Sequence, residues 1–195
     1  MALACLAAEA EHAGDKLARQ GFALIDGSAV DLAAAVADFD RLQGNSGVPL
    51  QLAPDHPLVA ALLTQPSVRE LIRDAVGPRA AVVQGVALDQ QGHASWFLPW
   101  HQAAKSARAE NSLILRWHLD LIGPADGGLR VLPGSHRRGR LAEVEMDRLA
   151  AENPAVELAV SAGTVVALRP MIVQGARRRT TRGHRRILQV ELAPS

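Results

Sequence analysis

The sequence predicts a mostly β protein with flanking helices, built as a sandwich or barrel. Beyond Gly77, short apolar and β-branched runs follow one another, and Gly, Pro, Asn or Asp separates most of them. A single helical segment, LAEVEMDRLAAEN, interrupts the series. Helices do not alternate with the strands, which argues against a parallel α/β sheet. At 195 residues the chain is long enough to bury the core of such a domain.

The N-terminal part is predicted to be mainly helical. Ala and Leu recur at helical spacing over residues 2–19 and 28–42, and GFALIDG between them predicts a short strand. PSVRELIRDAVG predicts a further helix, because Ser67 and Glu70 have the spacing of a capping box and Gly77 suits the C-terminal stop.

The strands of the second part are predicted in a series of short runs. In chain order these are AAVVQGVAL, SWFLPWHQ, SLILRWHLDLI, LRVLPGSH, VELAV, TVVALRPMIV and RRILQVELA. We find no internal repeat and no linker in the sequence. Residues 1–195 are therefore predicted to form one domain, with a mainly helical part over 1–77 and a β core over 78–193.

Composition excludes several classes of protein. The formal net charge of +1 gives no general attraction to nucleic acid or to a membrane surface. The lone Cys5 excludes an intramolecular disulfide and a Cys-based zinc cluster. MALACLAAEAEH lacks the basic start of a signal peptide, and no stretch reaches the length of a membrane span. A soluble protein of the cytoplasm is the expectation.

The stretch LPWHQAAKS contains half of a metal motif. Residues i and i+2 of a strand share a face, so a His-x-Asp pair aims an imidazole and a carboxylate at one point. A distant histidine would complete the facial triad of a non-haem iron site. Here the pair is His101 and Ala103, and a methyl group cannot bind a metal.

Three blocks in this order resemble the phytanoyl-CoA dioxygenase family. They are VGPRAAVVQGVALDQQGHASWFLPWHQ, LRWHLDLIGPADGGLRVLPGSHRRGRL and AGTVVALRPMIVQGARRRTTRGHRRILQVELA. Members of the family are iron(II)- and 2-oxoglutarate-dependent oxygenases. The resemblance implies a double-stranded β-helix, which is a jelly-roll or cupin-like core, with helices flanking it.

The resemblance also assigns the site residues. His101 falls on the first iron ligand, Ala103 on the carboxylate ligand and Gln174 on the second histidine. Arg185 falls on or next to the arginine that pairs with 2-oxoglutarate, and Arg186 is the alternative register. Because two of the three iron ligands are absent, we expect no metal and no cofactor.

The leading hypothesis is a family member that has lost iron-dependent oxygenation. It would bind a small molecule, such as one bearing a carboxylate, or catalyse a non-redox step in the residual cavity. His101 would be the acid or base, while Arg116, His118, Gln174 and Arg185 would orient an anionic or carbonyl ligand.

Two alternatives stay open. One is an active iron(II)- and 2-oxoglutarate-dependent enzyme with unusual ligation. It would be a hydroxylase, or a halogenase, since some related halogenases carry Ala or Gly at the carboxylate position. The other is an interaction module whose basic segment RRRTTRGHRR, with Arg137, Arg138 and Arg140, holds phosphate or an acidic partner. We do not expect nucleic acid as a partner, because the chain has no platform of stacking aromatics.

The remaining polar and aromatic residues receive structural roles. Strand alternation places Asp120 on one face with Arg116 and His118. His136 is predicted to organise a turn and His184 to lie in solvent, while core or pocket-wall positions are predicted for Trp96, Trp100 and Trp117.

Overall fold

The computed structural model describes most of the chain and defines its helices and strands. The described residues are 11–27, 30–43, 48–90, 97–103, 111–123, 126–178, 181 and 183–195. The helices are α1 (Ala13–Gln20), α2 (Leu32–Gln43), α3 (Pro57–Leu63), α4 (Pro66–Ala75) and α5 (Glu143–Glu152). The strands are β1 (Phe22–Ile25), β2 (Leu50–Leu52), β3 (Ala80–Asp89), β4 (Leu98–His101), β5 (Leu113–His118), β6 (Leu129–Val131), β7 (Val156–Leu158), β8 (Val165–Leu168), β9 (Gln174–Ala176) and β10 (Arg186–Pro194).

The strands form two antiparallel sheets that face each other. The larger sheet has the order β1-β8-β5-β10-β3-β2, and the smaller has the order β4-β9-β6-β7. This is the arrangement of a jelly roll. The predicted mostly β fold class with flanking helices is therefore confirmed.

The large sheet buries a different core on each face. Its outer face packs on the helices through residues such as Leu115 and Trp117 of β5. Its inner face meets the small sheet, where Ile114 and Val166 pack against Val131. Because side chains alternate along a strand, the residues of β5 on the face of Ile114 point into the space between the sheets. Those residues are Arg116 and His118.

Helix α4 confirms one local prediction and corrects another. The helix ends at Ala75, and Gly77 follows with a φ of 109°, as expected for the stop. The predicted capping box is wrong, because Pro66 already occupies the first turn and Gln65 is the N-cap. The Ser67 hydroxyl instead donates to the carbonyl oxygen of Asp26 at 3.1 Å.

The run TVVALRPMIV contains only one strand, β8, and the chain turns through residues 169–173 before β9 begins at Gln174. Strand β8 lies in the large sheet and β9 in the small one. Pro170 lies between them and cannot donate to a ladder, so the chain leaves the large sheet there. Helix α3 and the edge strand β2 were not predicted. In the part of the chain that the structure describes, no helix is both long and apolar enough to cross a membrane.

Candidate functional site

The two predicted ligand positions at 101 and 174 lie side by side in the small sheet. His101 of β4 is directly opposite Gln174 of β9 in the antiparallel register. Gln174 is in turn opposite Val131, which belongs to the core between the sheets. Residues opposite each other in such a pair share a face. Gln174, which is 4% exposed, therefore faces the inter-sheet space.

The imidazole of His101 has a defined tautomer. Its Nδ1 lies 2.9 Å from the carbonyl oxygen of Pro99. A carbonyl oxygen can only accept a hydrogen bond, so Nδ1 carries the proton and Nε2 keeps its lone pair. The side chain is half-buried. Nε2 can therefore accept a proton or bind a cation.

Ala103, at the predicted carboxylate position, is part of an apolar surface. Its methyl group packs against the hydrophobic cluster between the sheets. Within the described ranges, no group of three or more His, Cys, Asp or Glu side chains is placed to hold a metal ion. Of the described side chains at positions 101, 103 and 174, only His101 and Gln174 carry an atom that can coordinate a metal.

Arg116 and His118 face the same space from the large sheet. They are 8% and 2% exposed, and they lie in the centre of that sheet on β5. Nε of Arg116 and both ring nitrogens of His118 have no hydrogen-bond partner in the described part of the chain. Buried polar atoms in folded proteins are nearly always satisfied, so these three are candidates to bind a ligand.

Arg185 completes a buried group with these two residues. It is 3% exposed, and its Nη1 donates to the carbonyl oxygen of Gly127 at 2.9 Å. Its backbone N–H donates to Oδ1 of Asp89 at 3.3 Å. We call Arg116, His118 and Arg185 the inner cluster.

The charges of the inner cluster influence one another. Burial, and then the positive charge of Arg185, lowers the pKa of Arg116 to about 10. Burial, and then Arg116 and Arg185, holds the pKa of His118 well below its usual 6.5. At neutral pH the cluster therefore consists of two guanidinium groups and a neutral imidazole.

Arg186 points away from this cluster. Its Nη1 donates to Asp120 at 2.7 Å, and its Nε and Nη2 donate to the two carboxylate oxygens of Asp40 at 2.6 and 3.1 Å. The structure thus turns Arg185 inward and engages Arg186 in ion pairs. The predicted shared face of Asp120 with Arg116 is wrong, because β5 ends at His118 and the chain bends before Asp120.

His184 has a partner that the sequence did not indicate. Its Nδ1 lies 2.9 Å from Oδ2 of Asp89, whose side chain is buried. The prediction that His184 lies in solvent is therefore only half right, since one edge of the ring is bound. Asp89 also accepts from the backbone of Arg185, so it fixes the segment that carries this arginine. The signal was a charged residue closing the apolar run VVQGVALD.

Gln102 is a second residue that sequence reasoning missed. Its Nε2 donates to the carbonyl oxygens of Gly139 and Met171 at 2.8 and 2.7 Å. Its Oε1 accepts from the backbone N–H of Leu141 at 3.0 Å. This side chain ties the end of β4 to two loops and so fixes the backbone next to His101. Its position in the string WHQ was the only available signal.

The tryptophans and His136, which the sequence analysis also named, contact residues outside the inner cluster. Trp117 lies in the core beneath the helices and donates to the carbonyl oxygen of Gly163 at 3.1 Å. Arg130 stacks on Trp100 at 4.6 Å, while Trp96 lies outside the described residues. His136 lies in the predicted turn, and its Nε2 lies 3.1 Å from the carbonyl oxygen of Ala18 in α1, so its ring contacts a distant helix.

Several solved structures share this fold. AviO1 from Streptomyces viridochromogenes Tue57 is 21% identical over 93% of each chain, with a TM-score of 0.74. EctD from S. alaskensis with 2-oxoglutarate and 5-hydroxyectoine is 16% identical over 95% of this chain and 76% of that one, with a TM-score of 0.79. HygX from Streptomyces hygroscopicus with nickel and 2-oxoglutarate is 16% identical over 96% and 88%, with a TM-score of 0.75. No curated protein matches the chain in sequence.

The sequence model of phytanoyl-CoA dioxygenase (PhyH) matches residues 18–187. The cofactors that this family implies are iron(II) and 2-oxoglutarate, and the EctD and HygX structures contain 2-oxoglutarate. The prediction that the protein uses no cofactor is therefore wrong, and the alternative that named iron(II) and 2-oxoglutarate is the one the family supports. The match extends over most of the sequence and over both sheets, so this chain belongs to the phytanoyl-CoA dioxygenase (PhyH) family.

Proposed function

We propose that this chain binds 2-oxoglutarate, or a carboxylate ligand of the same class, between its two sheets, and that it has lost iron-dependent oxygenation. The observation that carries the proposal is the buried guanidinium of Arg185 beside Arg116 in the inter-sheet space. The residues at positions 101, 103 and 174 support the loss of iron-dependent oxygenation.

The inner cluster fits the co-substrate of the family. A guanidinium presents a planar fork of donors that matches a carboxylate, and the pairing is stronger where water is excluded. The segment that carries Arg185 is fixed by Asp89, and its Nη1 is oriented by the carbonyl oxygen of Gly127. The neutral imidazole of His118 can donate to a keto or carboxylate oxygen of the same ligand.

The residues at the metal position do not fit iron(II). A facial triad supplies two imidazoles and a carboxylate, whereas this chain offers one imidazole, one amide and one methyl group. Losing a single supporting group around a metal already lowers its affinity about 10–100-fold. Two ligand losses weaken binding further, because the anionic ligand is one of them. No oxidation step is therefore assigned to this site.

A non-redox step at a bound carbonyl compound is compatible with His101. The bond from Nδ1 to Pro99 leaves Nε2 as a proton acceptor, and the pairing with Gln174 places an amide next to it. A ligand held by the inner cluster would approach these groups from the opposite sheet. His101 would then take a proton from the ligand, or return one, at Nε2.

The alternatives rest on fewer observations. An active dioxygenase or halogenase is favoured by family membership, and it requires metal ligation that the three positions do not provide. The hypothesis of an interaction module is weakened because two of the six arginines in RRRTTRGHRR bind other residues within the fold. They are Arg185 in the inner cluster and Arg186 with Asp40 and Asp120. A single domain over residues 1–195, located in the cytoplasm, is part of the proposal because the sequence shows no linker and only one cysteine.

Calorimetric titration and oxygen consumption test the two halves separately. We expect saturable binding of 2-oxoglutarate in the presence of a chelator, weakened about 10–100-fold by Arg185→Gln because charge-assisted hydrogen bonds are lost. Arg137→Gln, at an exposed arginine, is the matched control. With iron(II) added, we expect no oxygen consumption that depends on 2-oxoglutarate. Absence of binding would overturn the ligand half, and sustained oxygen consumption would overturn the loss of oxygenation.

A further inference from the structure

We propose that the inner face of the large sheet binds a neutral polyhydroxylated compound, such as a sugar or a cyclitol, at the end formed by β10, β3 and β2. Four side chains with hydrogen-bonding groups lie on this part of the face, and we call them the polar wall. They are Gln51 of β2, Gln84 of β3, and Gln189 and Glu191 of β10. The inference goes beyond the proposed carboxylate binding, because it concerns a second ligand and other residues.

The strand register places the polar wall on the inner face. Ile114 packs in the core between the sheets and is directly opposite Glu191, which is opposite Gln84 in turn. Residues opposite each other in an antiparallel pair share a face. Gln189 lies two residues before Glu191 and therefore on the same face. Gln51 completes the wall, because Nε2 of Gln84 donates to its Oε1 at 3.1 Å.

The two ends of this inner face differ in chemistry and in exposure. Toward β1 and β8 the face carries apolar residues such as Phe22, Val166 and Leu168, which pack in the core and are at most 4% exposed. Toward β3 and β2 the face carries the polar wall. Its members on β2 and β3 are exposed, and its members on β10 are partly buried. The polar end of the face is therefore accessible to a ligand.

The polar wall has hydrogen-bonding groups that the fold does not use. Among the described residues, the side chains of Gln189 and Glu191 make no hydrogen bond and no ion pair. The contact between Gln51 and Gln84 leaves each of them a further donor or acceptor. Burial raises the pKa of the Glu191 carboxyl, and no neighbouring cation acts in the opposite direction.

Hydroxyl groups match this set of side chains. An amide donates and accepts, a carboxylate accepts from several donors, and a hydroxyl group both donates and accepts. Neighbouring strands lie about 4.8 Å apart, and residues two positions apart on a strand lie about 7 Å apart. Glu191 and its neighbours on the wall are thus within reach of one six-membered ring and its hydroxyls. An apolar ligand would leave the partly buried groups unsatisfied.

The polar wall also adjoins the inner cluster. Gln189 is directly opposite Arg116 in the pair of β10 with β5. A polyol on the wall would therefore lie next to a carboxylate ligand held by the arginines. Glu191 on the wall disfavours a second anion there, because like charges repel.

Ligand-observed NMR titration tests the polar wall, because it detects weak binding of small polyols. D-Glucose, D-galactose, D-mannose and myo-inositol are titrated into the full chain in the presence of a chelator, with and without 2-oxoglutarate. These four compounds differ in the configuration of their hydroxyls. Tetrahydropyran-2-methanol is the matched probe, since it has the ring and the hydroxymethyl group of the sugars without their ring hydroxyls.

The variants remove one hydrogen-bonding group at a time. Gln84→Leu and Glu191→Leu replace wall side chains with apolar ones of similar size, and Glu191→Gln keeps the hydrogen bonding without the charge. Gln20→Leu is the matched control, at a partly exposed glutamine that ends α1. Thermal unfolding of each variant shows whether it is folded. Because Gln84 is exposed, its variant tests the wall even if Glu191→Leu does not fold.

We expect at least one of the four polyols to bind saturably, and tetrahydropyran-2-methanol to bind at least about 10-fold more weakly. Gln84→Leu should weaken the polyol about 3–10-fold, as one net hydrogen bond predicts. Glu191→Leu should weaken it about 10–100-fold, because hydrogen bonds to a charged group are stronger. Glu191→Gln should retain part of the affinity, and the control should retain all of it.

Three outcomes overturn the inference. They are the absence of saturable binding by all four polyols, equal binding of tetrahydropyran-2-methanol, and wild-type affinity in the folded Gln84→Leu and Glu191→Leu variants. The proposed function is judged by a different titration, that of 2-oxoglutarate alone. A chain that binds a polyol on the wall and does not bind 2-oxoglutarate would overturn the proposed carboxylate site and leave the polar wall standing.

Discussion

Replacing Arg116 with methionine should stabilise the protein in the absence of ligand. Burial and then the positive charge of Arg185 lower the pKa of the Arg116 guanidinium from its ordinary value to about 10. One pKa unit corresponds to about 1.4 kcal/mol, so holding this side chain charged in the fold costs about 3 kcal/mol. Methionine has a similar length, no charge and a flexible thioether that fills irregular space.

The sign of this effect is the same at any ordinary pH. Below about pH 10 the guanidinium is protonated in both the folded and the unfolded state, so the full penalty is present. Above about pH 10 the folded state releases the proton while the arginine of the unfolded chain keeps it, and the penalty is relieved. The free energy of unfolding measured at pH 7 therefore includes the whole penalty for the buried charge of Arg116.

Urea unfolding at pH 7 measures the change directly. We expect the free energy of unfolding of Arg116→Met to rise by up to about 3 kcal/mol. For a chain of this size, that corresponds to roughly 6–12 °C in Tm. Arg137→Met is the control, because surface substitutions change stability by about 0.5 kcal/mol or less. Saturating 2-oxoglutarate should stabilise the wild type by about 2.7 kcal/mol at one hundred times its Kd, and the variant by less at the same concentration.

A loss of stability in Arg116→Met would refute this reasoning. Such a loss, measured without ligand, would mean that the fold supplies an anionic partner for Arg116. The guanidinium of Arg116 would then have no uncompensated charge to offer to a ligand.

Three further predictions concern neighbouring positions. Because the pKa of His118 lies well below 6.5 in the fold, the unfolded chain takes up a proton that the folded chain does not, and stability falls as pH drops below 6.5. His118→Phe should reduce this slope by up to about 1.4 kcal/mol per pH unit in urea titrations, and an unchanged slope would contradict the assignment. The double variant Ala103→Asp with Gln174→His should bind one iron(II) per chain by metal analysis while neither single variant does, and a folded double variant without metal would contradict the placement of the site. Arg186→Gln should lower the free energy of unfolding by about 1–2 kcal/mol, between the values for exposed and buried ion pairs. It should leave the affinity for 2-oxoglutarate unchanged, and a weakened affinity would make Arg186 the ligand-facing arginine.

The strands were predictable because apolar runs, and the Gly, Pro, Asn or Asp residues that separate them, are local signals. The run LILRWH of β5 is buried on both faces, and it was recognised without knowledge of its partners. The start of α4 was predicted wrongly. Pro66 begins the helix, so Ser67 lies inside it and is not its N-cap despite the capping-box spacing. Helix α3 and strand β2 are short, with seven and three residues, and they depend on packing against longer elements.

The sequence indicated which positions belong to the candidate site, and it did not indicate which way their side chains point. Which of Arg185 and Arg186 faces inward depends on Asp40, which lies 146 residues away in the chain, and on Asp120. The partner of His184 is likewise 95 residues away. Local sequence carries no signal for such distant pairs, so both registers remained open until the fold was known.

The cofactor prediction failed for a different reason. It inferred the absence of every cofactor from missing iron ligands, although 2-oxoglutarate is also held by arginine in the resemblance it relied on. Under the proposed function the two requirements are separate in this chain, and the burial of Arg116 and Arg185 supports that proposal. Ala103 and Gln174 stand at two of the three positions that the resemblance assigns to iron ligands, whereas the proposed carboxylate side has two buried guanidinium groups.

A structure from crystals grown anaerobically with iron(II) and 2-oxoglutarate tests directly whether this chain binds 2-oxoglutarate without iron. We expect 2-oxoglutarate between the sheets, with a carboxylate within hydrogen-bonding distance of the Arg185 guanidinium and no metal linking the ligand to His101. An iron ion coordinated by His101 and chelated by 2-oxoglutarate would contradict it.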